Sequence, residues 1–113
     1  MSDIKNCEPD VDEILNDALK AKGGIFVLFY TSWCPFSRMF LPIFEKYAKR
    51  KMKNCLRVKV DDEESLMEKY SVDVVPTVLF FEDGTVLKRL DGKLGKGLTE
   101  KQLIDFINIC YDG

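Results

Sequence analysis

The sequence contains no histidine among its 113 residues. Imidazole is the usual base of Cys–His and Ser–His catalytic pairs and a common metal ligand, so its absence excludes those pairs and most metal sites. Four cysteines are present, too far apart for a close-ligand zinc pattern: Cys7, Cys34, Cys55 and Cys110. We therefore expect no metal and no other cofactor.

An excess of positive charge and long apolar runs are also missing. The formal net charge is -2, so no positive field attracts nucleic acid or anionic lipid. No run approaches the roughly 18 apolar residues of a membrane span, and residues 1–6 form neither a basic nor an apolar leader. The sequence predicts no partner of either class, and a cytoplasmic protein with reduced thiols.

The length and composition are those of an ordinary globular protein. A chain of 113 residues, 46% of them hydrophobic, is long enough to bury one core and too short for two domains. We predict a single domain over residues 1–113 and a monomer. Three cysteines fit this core as small buried hydrophobic residues, namely Cys7, Cys55 and Cys110.

A single cysteine, Cys34, lies between an apolar run and a helical pattern. The six consecutive apolar residues Ile25–Tyr30 indicate a strand covered on both faces, and the spacing of Phe36, Phe40 and Phe44 indicates a helix. A helix N-terminus has unpaired N–H groups and the positive end of a dipole, which favour the nucleophilic thiolate. Cys34 is therefore the candidate nucleophile.

Ser37 stands three residues after Cys34, where a redox pair would have its second cysteine. One helical turn from Cys34, its hydroxyl either donates a hydrogen bond to the thiolate or is simply a solvent-facing or capping group. The sequence leaves both alternatives open. Pro35 suits the first helical position, where its missing N–H costs nothing.

The rest of the chain alternates between strand and helix patterns. An acidic run, Asp61–Glu64, suits a helix N-terminus better than a metal site. A loop with Gly92, Gly95 and Gly97 is either mobile or closely packed on a neighbouring surface. The other predicted helices are one that begins at Pro9 and is closed by Gly23-Gly24, a short one through Leu66, Met67 and Tyr70, and a last one with a Thr99–Gln102 capping box. The other predicted strands are a weak edge strand Ile4–Cys7, then Cys55–Val60, and Val78–Phe81 and Thr85–Leu90 with an Asp83-Gly84 hairpin turn. This order predicts an α/β fold with a mixed, mostly parallel sheet, an antiparallel edge hairpin and helices on both faces.

Several spaced motifs resemble the thioredoxin family: Trp33-Cys34-Pro35-Phe36-Ser37, Pro42, Val75-Pro76-Thr77 and the Phe80–Gly84 hairpin. The resemblance implies the thioredoxin-like three-layer fold and a thiol–disulfide oxidoreductase acting on protein disulfides, with a reductase-type electron donor or glutathione as a further partner. It implies a cis Val75–Pro76 bond facing Cys34. It also implies a substrate site formed by Trp33, Pro35, Phe36, Val75, Pro76 and Gly92.

Two departures from the family pattern affect the same half-reaction. Ser37 replaces the second cysteine, and Leu28 stands where the family commonly has a buried aspartate that serves that cysteine. The basic partner of that aspartate is matched by Arg57, which either keeps that place or is simply exposed here. Cys34 can attack a disulfide, but no second thiol releases the product. The chain is thus a two-cysteine oxidoreductase trapped by an introduced Ser37, a native monothiol or glutathione-dependent glutaredoxin-like exchanger, or a non-catalytic client-binding module.

Overall fold

The computed structural model describes residues 19–20 and 23–112. The predicted strand Ile4–Cys7 and most of the helix predicted from Pro9 lie outside these residues. In chain order the described elements are β1 (Ile25–Tyr30), α1 (Pro35–Arg50), β2 (Cys55–Lys59), α2 (Glu64–Lys69), β3 (Thr77–Glu82), β4 (Thr85–Leu90) and α3 (Glu100–Asp112).

Strand β1 lies inside the sheet, between β2 and β3. The described strands are ordered β2-β1-β3-β4, and β1 pairs in parallel with β2 and antiparallel with β3. Its first five residues are buried because both faces are covered, which explains the uninterrupted apolar run. The strand predicted from that run is confirmed with the same bounds.

The mixed sheet and its antiparallel hairpin are confirmed, but the expectation that most strand pairs are parallel is wrong for the described strands. Only β1 and β2 are parallel; the other two pairs are antiparallel. The six-residue α2 spans about 9 Å, roughly half the length of a six-residue strand. It does not carry the chain back to the start of β1, so β3 enters the sheet where β1 ends.

Helices cover both faces of the sheet, which confirms the three layers. Successive side chains of β1 point to opposite faces. Phe26 and Leu28 face α1 and α3, whereas Val27 and Phe29 face α2. Helices α1 and α3 are also joined at the surface, where Lys46 and Tyr47 both contact the Glu100 carboxylate. Helix α1, which carries Cys34 at its start, is thereby held against the sheet along its length.

Two local predictions are confirmed at the ends of elements. Asp83 and Gly84 have φ values of 53° and 81°, the left-handed conformations that a two-residue hairpin turn requires. At the start of α3, the Thr99 N–H donates to Gln102 Oε1 at 2.8 Å and the Gln102 N–H donates to Thr99 Oγ1 at 3.2 Å. This reciprocal pair is the predicted capping box.

Across residues 19–20 and 23–112, no helix has the length and apolar character needed to cross a membrane.

Candidate active site

Cys34 is the N-cap residue of α1. Its backbone is extended, with φ −82° and ψ 123°, and Pro35 follows at the first helical turn. The Cys34 carbonyl accepts the Arg38 N–H at 3.0 Å, so the helix begins directly after it. The Cys34 side chain caps no N–H group of its own helix and is partly exposed. Its sulfur is therefore available to a molecule outside the helix.

The segment before β3 brings Val75 to Cys34. Thr77 at the start of β3 pairs with Phe29 near the end of β1, so the antiparallel register places the preceding residues beside the Cys34 turn. The Cys34 Sγ lies 3.9 Å from the Val75 carbonyl oxygen, although 41 residues separate them in sequence. The Val75–Pro76 peptide bond is cis. The structure thus brings together Cys34 and the Val75-Pro76 segment.

Gly92 packs directly on Pro76. A Cβ atom at Gly92 would lie 2.2 Å from the Pro76 carbonyl oxygen, closer than any side chain allows. The Gly92 N–H donates to Thr77 Oγ1 at 3.2 Å, and that hydroxyl donates to the Val74 carbonyl at 2.6 Å. Gly92 therefore supports the segment that faces Cys34.

Gly97, in the same loop, has φ +68° and would place a Cβ only 2.8 Å from the Phe36 Cβ. Close approach to a neighbouring surface, one of the two alternatives for this glycine-rich loop, accounts for both glycines.

A groove of about 510 Å³ runs beside Cys34. Five of the predicted site residues line it: Trp33, Cys34, Pro35, Phe36 and Val75. Pro76 and Gly92 are buried behind this wall, and Ser37 is buried beneath it. Trp33 is 68% exposed and forms part of the rim. The other lining residues are Thr31, Val60, Asp61, Glu64, Met67, Asp73, Val74, Lys93, Leu94 and Gly95.

Ser37 is completely buried, so the solvent-facing alternative for its side chain is wrong. Its Oγ accepts a hydrogen bond from the Thr31 N–H at 3.3 Å. This contact ties the first turn of α1 to the segment that follows β1, because Ser37 faces inward from the helix. A hydrogen bond from the Ser37 hydroxyl to a Cys34 thiolate stays a prediction.

Leu28 and Arg57 occupy very different surroundings. Leu28 is completely buried in the core between the sheet and α1. Arg57 is exposed on β2 and forms a surface ion pair with Glu45 at 2.8 Å. The exposed alternative for Arg57 is confirmed. Position 28 thus offers an apolar side chain and no proton-accepting group.

Asp61 is a site residue that the sequence interpretation missed. Its carboxylate accepts the Ser32 N–H at 2.8 Å and also the Ser32 hydroxyl, across 29 residues of sequence. The acidic run predicts Asp61 at the N-terminus of a helix, but α2 begins at Glu64 and its N-cap residue Glu63 makes no side-chain cap. No local pattern marks a contact of this range. Asp61 instead anchors the turn two residues before Cys34.

The Asp61→Asn substitution should destabilise the protein in a pH-dependent way. Ser32 donates two hydrogen bonds to the Asp61 carboxylate, and they lower the pKa of Asp61 below its ordinary value of 3.8; the bond from the hydroxyl has the larger effect and the bond from the N–H the smaller. A carboxylate with a lowered pKa stabilises the fold at pH values above its unfolded pKa, and this contribution is lost as the pH falls through its folded pKa. In chemical denaturation, the difference between wild type and variant should stay constant from pH 5 to 7 and shrink below pH 4. A difference in stability that stays constant down to pH 2 would contradict this assignment. The control is Asp62→Asn, which removes the charge of an exposed neighbouring carboxylate.

The remaining described cysteines differ from each other. Cys110 is buried in α3, and burial raises the pKa of its thiol to about 11. Cys55 is exposed, so its predicted burial is wrong: β2 is the outermost described strand on its side of the sheet, and Cys55 is its first residue. Cys7 lies outside the described residues. Cys110 is protected from neutral-pH chemistry, whereas Cys55 is a useful accessible control for Cys34.

Comparisons with known proteins agree with this geometry. The thioredoxin family profile matches residues 7–108. Thioredoxin H4 of Arabidopsis thaliana is 34% identical over 95 residues, which cover 81% of this chain and 80% of the relative. The X-ray structure of Fasciola hepatica thioredoxin is 32% identical, with a TM-score of 0.70 over 86% of this chain and 88% of that one. A bifunctional thioredoxin reductase/thioredoxin of Mycobacterium leprae is 26% identical over 113 residues, which cover 95% of this chain and 25% of that protein. The chain belongs to the thioredoxin family.

Proposed function

We propose that this thioredoxin-like redox protein is a monothiol disulfide-exchange protein that captures protein disulfides through Cys34 and holds them covalently. The observation that carries the proposal is the contrast between two side chains one helical turn apart. Cys34 opens onto the groove at the helix N-terminus, whereas Ser37 is completely buried and is no thiol. At these two positions the chain therefore has an attacking group and no resolving group.

The capture step is an exchange of one disulfide for another. The Cys34 thiolate attacks one sulfur of the substrate disulfide, and a bond forms between Cys34 Sγ and that sulfur. The substrate S–S bond breaks, and the second sulfur leaves with the electron pair as a thiolate. No net oxidation occurs, because one disulfide is lost and one is gained. Trp33, Pro35, Phe36 and Val75 line the groove in which the substrate segment would lie during this step.

Release from Cys34 requires a thiol from outside the chain. The Ser37 hydroxyl cannot break the mixed disulfide, since a hydroxyl without a base is a poor nucleophile and an S–O product is not a stable exchange partner. Glutathione can attack the Cys34–substrate bond, which frees either Cys34 or the substrate as a thiolate. The bifunctional relative joins a thioredoxin to a reductase in one chain, which supports a reductase-type electron donor as a second class of partner. A monomeric, cytoplasmic protein stays a prediction.

A non-catalytic client-binding module is the second candidate. The observation that favours it is the exposure of two large apolar side chains at the groove, with Trp33 at 68% and Leu94 at 88%. Such side chains hold a partner segment without any covalent bond. The two candidates differ in whether capture depends on the Cys34 sulfur.

Substituting Cys34 tests the proposal directly. Incubation of the wild-type protein with a disulfide-containing protein such as insulin should give mixed disulfides on non-reducing gels, identified by mass spectrometry at Cys34. Cys34→Ser should reduce the yield by at least about tenfold, because the serine hydroxyl is not ionised at neutral pH. The matched control, Cys55→Ser, removes the other exposed described thiol and should leave the yield unchanged. An equal yield of mixed disulfide from the Cys34→Ser protein would exclude Cys34 as the attacking thiol. Insulin that stays bound to Cys34→Ser under non-denaturing conditions, with no covalent product from the wild type, would favour the binding module.

A further inference from the structure

The groove beside Cys34 has an uneven distribution of charge. Three carboxylates line it, those of Asp61, Glu64 and Asp73, against one cation, Lys93. Asp61 is already bonded to Ser32, and Arg89, which is paired with Asp91, is near enough to interact with the Asp73 charge. Hydrogen bonds from a neutral serine leave the Asp61 charge in place, and Arg89 does not line the groove. The lining therefore remains negative overall.

The same groove contains a polar atom without a partner. Thr31 is 3% exposed and lines the groove, and its Oγ1 has no hydrogen-bond partner among residues 19–20 and 23–112. The Oγ1 atom itself is buried beneath the groove surface, so a bound segment reaches it only by displacing this wall. A hydrogen bond formed there relieves the unfavourable burial of an unpaired hydroxyl.

We infer that the groove selects peptide segments whose disulfide-bonded cysteine is flanked by lysine or arginine, and that Glu64 and Asp73 are the residues that set this preference. The inference rests on the proposed exchange at Cys34 and names its substrate class. The apolar rim of Trp33 and Leu94 contributes contact area to any peptide. Charge discriminates between peptides, because a glutamate beside the cysteine meets like charges in the groove and a lysine meets opposite ones.

Two capped peptides, Gly-Lys-Cys-Lys-Gly and Gly-Glu-Cys-Glu-Gly, provide the probe, each with its cysteine as a mixed disulfide with 2-nitro-5-thiobenzoate. Attack by the Cys34 thiolate on the peptide sulfur forms the Cys34–peptide disulfide and releases the coloured aromatic thiolate with the electron pair. Each rate of release is divided by the rate at which mercaptoethanol, a small thiol without other charged groups, releases the aromatic thiolate from the same peptide. This ratio corrects for the different intrinsic reactivity of the two peptide disulfides. We expect the lysine peptide to react about five to ten times faster at low salt, falling to less than about twofold in 0.5 M salt.

The double variant Glu64→Gln with Asp73→Asn should reduce the low-salt preference to less than about twofold. A matched control, Glu82→Gln with Asp105→Asn, removes two exposed carboxylates that do not line the groove and should keep the full preference. Equal normalised rates for the two peptides, or a preference that survives the groove variant, would overturn the inference.

A second measurement separates this inference from the proposed function. The chain has one tryptophan, Trp33 at the groove rim, so its fluorescence reports peptide binding. In the Cys34→Ser protein, titration with the same peptides carrying serine for cysteine should show tighter binding of the lysine peptide. If this preference is seen but wild type releases no aromatic thiolate, the exchange function is wrong and the groove preference stands. If the release depends on Cys34 but neither assay shows a preference, the inferred groove preference is wrong and the exchange function stands.

Discussion

Ser37→Cys should raise the rate of dithiothreitol-driven insulin reduction by about a hundredfold or more. A thiol at this position is one helical turn from Cys34 and attacks the mixed disulfide within the molecule. Effective concentrations of tethered groups reach about 10⁵ M, whereas an external thiol is supplied at millimolar levels. Serine and cysteine differ by one atom, so the thiol should fit the buried position beside Thr31. Its sulfur is a weaker acceptor for the Thr31 N–H than the serine oxygen, so we expect a modest loss of stability. Insulin turbidity over time gives the measurement.

Two controls keep the Ser37→Cys result specific. Ser37→Ala adds no thiol and should give no gain; it leaves the Thr31 N–H without its acceptor, at a cost of about 1–3 kcal/mol in the free energy of unfolding. Cys34→Ser combined with Ser37→Cys has a thiol at the buried position alone and should be inactive. A Ser37→Cys protein with no gain, together with rapid glutathione-dependent turnover by the wild type, would instead identify a native monothiol exchanger.

The fold was largely predictable because its strongest signals are local. The apolar run of β1, the Asp83-Gly84 turn and the Thr99–Gln102 pair each act within a few residues, and each is found in the structure. The direction of β3 was not predictable in the same way. It depends on where the chain between β2 and β3 rejoins the sheet, beside the end of β1, and no local pattern in that segment encodes this position.

The site was predictable where its residues are adjacent in sequence and not where the fold brings distant segments together. Cys34 and Pro35 follow from helix-start chemistry alone. The contact between Ser32 and Asp61 joins the segments that follow β1 and β2, and parallel pairing places those ends side by side. The exposure of Cys55 likewise depends on the position of β2 at the outside of the described strands, which strand propensity does not encode.

Leu28→Asp should lower the free energy of unfolding by about 4 kcal/mol or more at pH 7. Leu28 is completely buried beside α1, so the substitution removes apolar contacts and buries a carboxylate. Its register partner on β2, Arg57, is exposed and already paired with Glu45. Turnover should not improve, because the thioredoxin pattern uses a carboxylate at this position to deprotonate a second cysteine, and Ser37 takes that place. Urea denaturation and the insulin assay measure the two effects separately.

The matched variant Leu28→Asn isolates the cost of the charge. Burial raises the pKa of an introduced aspartate, so its penalty appears as pH rises above the unfolded value of about 3.9 and reaches its full size above the folded value. The Leu28→Asp protein should therefore lose stability from pH 3 to pH 7 relative to Leu28→Asn. Equal stability of the two variants at both pH values would show that position 28 is hydrated.

A dry position 28 means that apolar packing occupies the place of a proton acceptor, so adding only the thiol at 37 would leave that thiol without its base. The Leu28→Asp and Ser37→Cys double variant then becomes the critical comparison: it should turn over faster than Ser37→Cys alone while being the less stable of the two.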